Sequence, residues 1–288
     1  MNLTTTRLAT HARTWLLISG LSALLVVFGG MFFGSAGYVL FAGIAVAMNF
    51  ALYWFSDRMA IKASRAYPVS ESDDPGLYAM VSEIATRAKV PMPRVFMIPS
   101  DQPNAFATGR NPKHAAVAVT EGIRKYMPDY QLRGVLAHEF AHIKNRDILI
   151  SSIAAMIGAV ITMVAHVLQF SFLFGGGDDD DGPLGMVGAL AMIILAPLAA
   201  VLIQLAVSRQ REYLADATAA DFMGESRPLV DALETLERGT DAIPMNVNPA
   251  MEALFIANPL RGVGMSAMFS THPPMKERIR RLRELRLS

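Results

Sequence analysis

Residues 131–144 read Gln-Leu-Arg-Gly-Val-Leu-Ala-His-Glu-Phe-Ala-His-Ile-Lys. A helix is expected here, from Asp129 as its cap to about Lys144. His138 and His142 stand four residues apart, so on a helix both imidazoles point the same way, within reach of one small cation. Glu139 follows the first histidine and is placed to meet a water beside such an ion. This is the H-E-x-x-H arrangement, in which a zinc ion activates water and the glutamate takes its proton as the water attacks a carbonyl. Six His and eleven Glu in 288 residues give only about 0.005 occurrences of this pattern by chance.

The chain has no cysteine, which excludes disulfides, thiol nucleophiles and thiolate-bound metal centres. A third metal ligand must then be His, Asp or Glu on another element. Arg211-Glu212-Tyr213-Leu214-Ala215-Asp216 offers Glu212 for that place. Asp216, one turn later on the same face, is placed to accept the free N–H of a ligand imidazole and fix its tautomer. Taken alone, a carboxylate pair with this spacing reads equally well as a solvated helix face; its value comes from pairing with His138 and His142.

The sequence between these two stretches is of a different kind. Residues 148–177 and 182–208 carry no charged side chain, and neither do residues 14–56. With 52% hydrophobic residues, 18% charged and a mean hydropathy of +0.33, the chain is too apolar for an ordinary soluble domain. A membrane span needs about 20 residues, so four are expected: about 15–34 and 37–55 in an N-terminal hairpin (residues 1–56), and about 149–174 and 185–207 in a second hairpin (residues 148–208). Ser35 to Gly37 and the run Asp178 to Asp181 fall in the two turns. A signal peptide is the simpler reading of the first span, but its apolar run is long and a second span follows at once. Arg7, Arg13, Arg58, Lys62, Arg65, Lys144, Arg146, Arg209 and Arg211 flank the spans and the hairpin turns have no Lys or Arg, which puts both termini and both polar blocks in the cytoplasm. The net charge of +1 provides no pull toward nucleic acid.

The polar blocks, 57–147 and 209–288, are expected to form one catalytic domain split by the second hairpin. In the first, a helix is expected over residues 75–90 behind Asp73 and Asp74, a strand over 94–98, a hairpin of 105–107 with 115–119, and a short helix over 121–127. In the second, helices are expected over 207–223, 228–238 and 275–287, with an irregular, proline-bearing stretch over 239–271. The fold class is mainly α, an α+β domain with a small β-sheet, hung on four transmembrane helices.

With these residues in hand, the chain resembles the HtpX family of bacterial membrane zinc metalloproteases. The resemblance rests on Asn-Ala-Phe-Ala-Thr-Gly at 104–109, His-Glu-Phe-Ala-His at 138–142, Ser-Arg-Gln-Arg-Glu-Tyr-Leu-Ala-Asp at 208–216 and Thr-His-Pro-Pro at 271–274. It implies a zincin-like (gluzincin) domain, one Zn2+ per chain on His138, His142 and Glu212, and Glu139 as general base and acid. It also implies cytoplasm-facing proteolysis of misfolded or damaged membrane proteins, in stress response and quality control at the bacterial inner membrane. Protein or peptide substrates and the lipid bilayer are the expected partners; no nucleic acid is expected, and the oligomeric state is left open.

In related zinc proteases the substrate adds as a strand along a sheet edge. Here that edge is expected at residues 115–119, approached from 104–109, which makes Asn104, Ala115, Val117 and Val119 the substrate-binding candidates. A buried hairpin is an equal alternative. His272 is a candidate donor to the oxyanion of the tetrahedral intermediate, or else a surface residue of a rigid turn. His166, alone in the third span, reads as a neutral histidine bonded to a neighbouring helix. No role is assigned to Asp147, although an aspartate at a helix C-terminus opposes the dipole and hints at a specific partner. Two rival functions stand beside the protease: a membrane holdase with structural zinc closed by a fourth ligand, and a prenyl-protein processing protease sharing the same metal motifs.

Overall fold

The computed structural model describes residues 3–158, 209–243, 245, 247, 249–259 and 273–285. Most of the second expected hairpin, with His166 and the Asp178 to Asp181 run, lies outside these residues, as does His272.

Helix α1 (Leu3–Ala63) is interrupted at Gly34, whose φ of 64° and ψ of −150° break the helical path; glycine adopts this region without a Cβ penalty. The two arms return against each other, and Asn49 Nδ2 donates to Ser22 Oγ at 2.8 Å between them. Among the described residues, the arm Gly34–Ala63 is the one helix long and apolar enough, by length and composition, to cross a membrane.

The chain continues through β1 (Tyr67–Pro68), α2 (Pro75–Ala88), β2 (Arg94–Ile98), β3 (Ala105–Gly109), β4 (Ala115–Thr120), α3 (Glu121–Tyr126) and α4 (Asp129–Asn145). The apolar helix α5 (Ile148–Gly158) follows at once. After residue 208 come α6 (Arg209–Met223), α7 (Arg227–Ala242), a 3-10 turn (Pro249–Leu254) and α8 (Met275–Glu284). Asp74 caps α2 by accepting from Leu77 N at 2.9 Å. Pro128, not Asp129, occupies the cap position of α4; Asp129 lies in the first turn and accepts from Arg124. The stretch after residue 238 is more regular than expected, since α7 runs on to Ala242 and the 3-10 turn follows.

The four strands form one mixed sheet in the order β1-β2-β4-β3, with β2 parallel to β4 and the outer pairs antiparallel. Alternation along the strands sorts the side chains onto two faces. Ala105, Ala107, Ala115, Val117 and Val119 join the core around α4 and α2 with Leu77, Val135, Leu136 and Phe140. Phe106, Ala116 and Ala118 join a second core with Leu52 and Ala60 of α1, Ile153 and Met156 of α5, and Phe255. The sheet is thus a plate between the H-E-x-x-H helix and the apolar helices.

This topology corrects one expectation. Strand β4 is hydrogen-bonded on both sides, to β2 and β3, so residues 115–119 offer no edge to an added strand. Ala115, Val117 and Val119 are buried instead under α4. The edge strands are β1, only two residues long, and β3, which lies beside the H-E-x-x-H helix.

Candidate metal centre and peptidase site

Three helices build the site. α4 supplies His138, Glu139 and His142, and α6 supplies Glu212 and Asp216; α8 contributes Arg278. The imidazole rings of His138 and His142 stand edge to face, 4.7 Å apart, and their Nε2 atoms approach to 3.1 Å. Glu212 closes the triangle, with Oε2 3.6 Å from His138 Nε2 and Oε1 3.6 Å from His142 Nε2. The donor atoms of the three residues all lie within 4.8 Å of one another, although residues 148–208 separate their elements in sequence.

Behind each imidazole stands a carboxylate. His138 Nδ1 lies 2.9 Å from Asp216 Oδ1, and His142 Nδ1 lies 3.1 Å from both carboxylate oxygens of Asp147. A neutral ring that donates from Nδ1 keeps a lone pair on Nε2, so two lone pairs and a carboxylate face one point. Tetrahedral zinc with bonds of about 2.0–2.2 Å needs its donors about 3.3–3.6 Å apart, close to the spacings found, and the nitrogen and oxygen donor set suits that ion.

The electrostatics agree with a site made for positive charge. Burial disfavours charge on either imidazole, yet the carboxylates win: Asp147, with Glu212 and Glu139 behind it, pushes His142 up to about 10. His138 is raised as well, Asp216 and Glu212 outweighing burial and the Arg278 guanidinium. Burial also raises Glu139, against the opposing pull of the two imidazoles, and the Ala107 backbone N–H donates to it. Burial would raise Asp216 too, but Arg278 and His138 hold it below the usual carboxylate range.

A narrow cleft opens beside these groups. Ala107 of β3 forms one wall, Ile148 and Ser151 of α5 another, and residues 253–256 a third. Strand β3 is fastened to both apolar segments: Thr108 Oγ1 and Ser152 Oγ share a 2.6 Å hydrogen bond, and the Arg110 guanidinium sits 4.5 Å from the Trp54 ring centroid. Asn104 is fully buried. Its amide donates to Ala257 O at 2.8 Å and accepts from Ala105 N and Ala257 N, so it clamps Ala257 beside the start of β3.

Two residues of the site were not assigned from sequence. Asp147 is brought back to His142 because Arg146 takes a left-handed conformation, φ 61°, at the end of α4; its place just past the helix was the available signal. Arg278 shares the buried face of α8 with Met275, Ile279 and Leu282, and an arginine inside an apolar stripe would have been the clue.

A buried H-E-x-x-H helix met by a carboxylate from a separate helix, beside a sheet edge, defines a metallopeptidase-type site. The chain belongs to peptidase family M48, whose profile matches residues 71–286, and within it to the HtpX proteases. A protease HtpX homolog from Pelotomaculum thermopropionicum is 50% identical over 274 residues, 94% of this chain and 98% of that protein. Another from Syntrophobacter fumaroxidans is 49% identical over 277 residues, 95% and 98% of the two chains. Among solved structures, the crystal structure of S. mikatae Ste24p shares the fold at a TM-score of 0.53 and 20% identity; the match covers 97% of this chain and spans 66% of that one.

Proposed function

We propose that the chain is a zinc-dependent endopeptidase of the bacterial inner membrane. In this reading four spans anchor it, and both polar blocks form one catalytic domain on the cytoplasmic side. The convergence of His138, His142 and Glu212 across the intervening apolar stretch is the observation that carries it. These three residues hold the zinc, which supplies Lewis acidity toward a carbonyl oxygen and toward water. Glu139, buried next to the ligands and held by the Ala107 N–H, takes the proton of the attacking water and passes it to the leaving nitrogen. Asp216 and Asp147 fix the imidazoles by holding their Nδ1 protons. His272 donates to the oxyanion that develops as the carbonyl is attacked.

The substrate adds as a strand along β3 past Ala105, whose carbonyl already accepts from the Ile256 N–H, at the sheet edge that walls the cleft. Pairing through the backbone reads extended conformation more than side chains, which suits unfolded segments of many proteins. Because Ile148 and Ser151 of the apolar helix α5 line the same cleft, the favoured substrates are membrane proteins whose segments emerge at the bilayer surface. That placement supports a role in clearing misfolded or damaged membrane proteins.

Glu139→Gln tests the reading. The variant is expected to keep one zinc per chain and to lose cleavage of an unfolded protein such as casein by at least about 100-fold, the low end of what general acid-base catalysis contributes. Cleavage at the parent's rate by a zinc-loaded variant would remove Glu139 from the mechanism. A parent that binds zinc but cleaves nothing would favour the holdase.

A further inference from the structure

We propose that Arg278 is a positioning residue of the metal centre: it clamps Asp216 against His138 and ties that clamp to the wall of the substrate cleft. Arg278 is 0% exposed, heading the largest fully buried side chains among the described residues. It stands on a helical face otherwise built from Met275, Ile279 and Leu282. A guanidinium in such a place is tolerated only if its charge and its donors are met. Here they are met by the site itself. Nε donates to Asp216 Oδ2 at 2.9 Å and Nη2 to Asp216 Oδ1 at 2.7 Å, a two-pronged grip on one carboxylate. Nη1 donates to Ile256 O at 3.2 Å and lies 3.9 Å from Glu212 Oε2.

The need for a clamp follows from how the two imidazoles are supported. Asp147 reaches His142 from the turn that ends the same helix, so local chain geometry delivers it. Asp216 reaches His138 from another helix, and its Oδ1 is shared between His138 Nδ1 and Arg278 Nη2. Without the guanidinium, the His138 contact holds one oxygen of that carboxylate, and among the described residues no other hydrogen bond fixes its plane. Arg278 also extends the support outward. Ile256, whose carbonyl it binds, donates its own N–H to Ala105 O of β3 at 3.0 Å. The last helix is thereby joined through one side chain to the metal centre and to the strand that walls the cleft. A lysine keeps the charge but cannot reproduce three directed contacts from one planar group.

This inference rests on zinc being the resident ion. The experiment uses the full chain, purified in detergent and stripped of metal by chelation. Zinc affinity is measured by competition with a chromogenic chelator, and the melting temperature of the stripped protein is recorded alongside. Arg278→Lys is expected to melt close to the parent yet bind zinc about 10–100-fold more weakly, the loss typical when the partner of a metal-bound histidine is disturbed. Asp216→Asn/Arg278→Met removes both members of the pair together, so neither of the two charges stays buried without the other. It is expected to fold and to show the same weakened affinity. Zinc binding within about twofold of the parent in either variant overturns the proposal, because the 10–100-fold cost of disturbing such a partner would then be absent. So does an affinity loss accompanied by an equal loss of fold in the stripped protein, since Arg278 would then be structural only. A parent that takes up no zinc refutes the metal reading and this proposal with it.

Discussion

His142 Nδ1 faces both carboxylate oxygens of Asp147 at 3.1 Å, across the left-handed turn at Arg146 that ends the H-E-x-x-H helix. The aspartate sits between two helix ends, where the C-terminus of α4 disfavours negative charge and the N-terminus of α5 favours it, and the imidazole N–H is its partner on the side of the site. Asp147→Asn keeps the shape but weakens the acceptor, and its amide nitrogen competes for the same place. Zinc affinity is expected to fall about 10–100-fold with little change in the far-UV circular dichroism. A chelator titration reads the effect; unchanged affinity would mean that Asp147 does not support the metal centre.

Gly134 lies one turn before His138 and lets α4 touch the start of α7. A Cβ there would stand 2.5 Å from Leu229 N and 2.6 Å from Pro228 C, both backbone atoms. Alanine is the better helix former by about 1 kcal/mol, so an open site would be stabilised by Gly134→Ala. Overpacking against backbone costs typically about 1–3 kcal/mol, and the net change is expected to be destabilising. A lower melting temperature in detergent would bear this out; a higher one would mean that α7 yields without cost.

Asp74 caps α2 and accepts two hydrogen bonds from Arg124, at 2.7 and 3.1 Å. Arg124 holds the Asp74 carboxyl below its ordinary range, against burial. A carboxylate with a depressed folded pKa adds stability in full above its unfolded pKa of about 3.9, and that share is lost as the pH falls through the folded value. Asp74→Ala is therefore expected to cost about 1 kcal/mol or somewhat more at pH 7. The gap to the parent should narrow as the pH drops below about 4 and through the depressed folded value. Melting temperatures of both proteins across that range give the test, and a gap that stays constant would contradict the charge contribution.

The site was legible in the sequence where its geometry is local. Four-residue spacing on a helix places His138 beside His142, and likewise Glu212 beside Asp216, whatever the rest of the chain does. With no cysteine present, a carboxylate was among the few remaining choices for a third ligand. The strands were legible as strands for the same reason, since alternation is a short-range signal. Their order was not. Residues 115–119 look like an edge when read alone, and only the parallel pairing of β2 with β4 buries them in the middle of the sheet. The contacts of Asn104 with Ala257 escaped sequence reading for a like reason, because they depend on a distant loop returning to the sheet.

What the sequence determined by itself is the larger part of the candidate site, His138, Glu139, His142, Glu212 and Asp216, and its division into helices, because helical period, charge-free runs and ligand chemistry are properties of neighbouring residues. What only the tertiary structure decided is which groups meet. The 3.6 Å approach of Glu212 to both histidines, the choice of β3 as the edge, and the grip of Arg278 on Asp216 all come from packing distant segments around one buried helix. Sequence spacing carries no term for that packing. It is set by which apolar faces fit together and by the requirement that each buried charge find a partner.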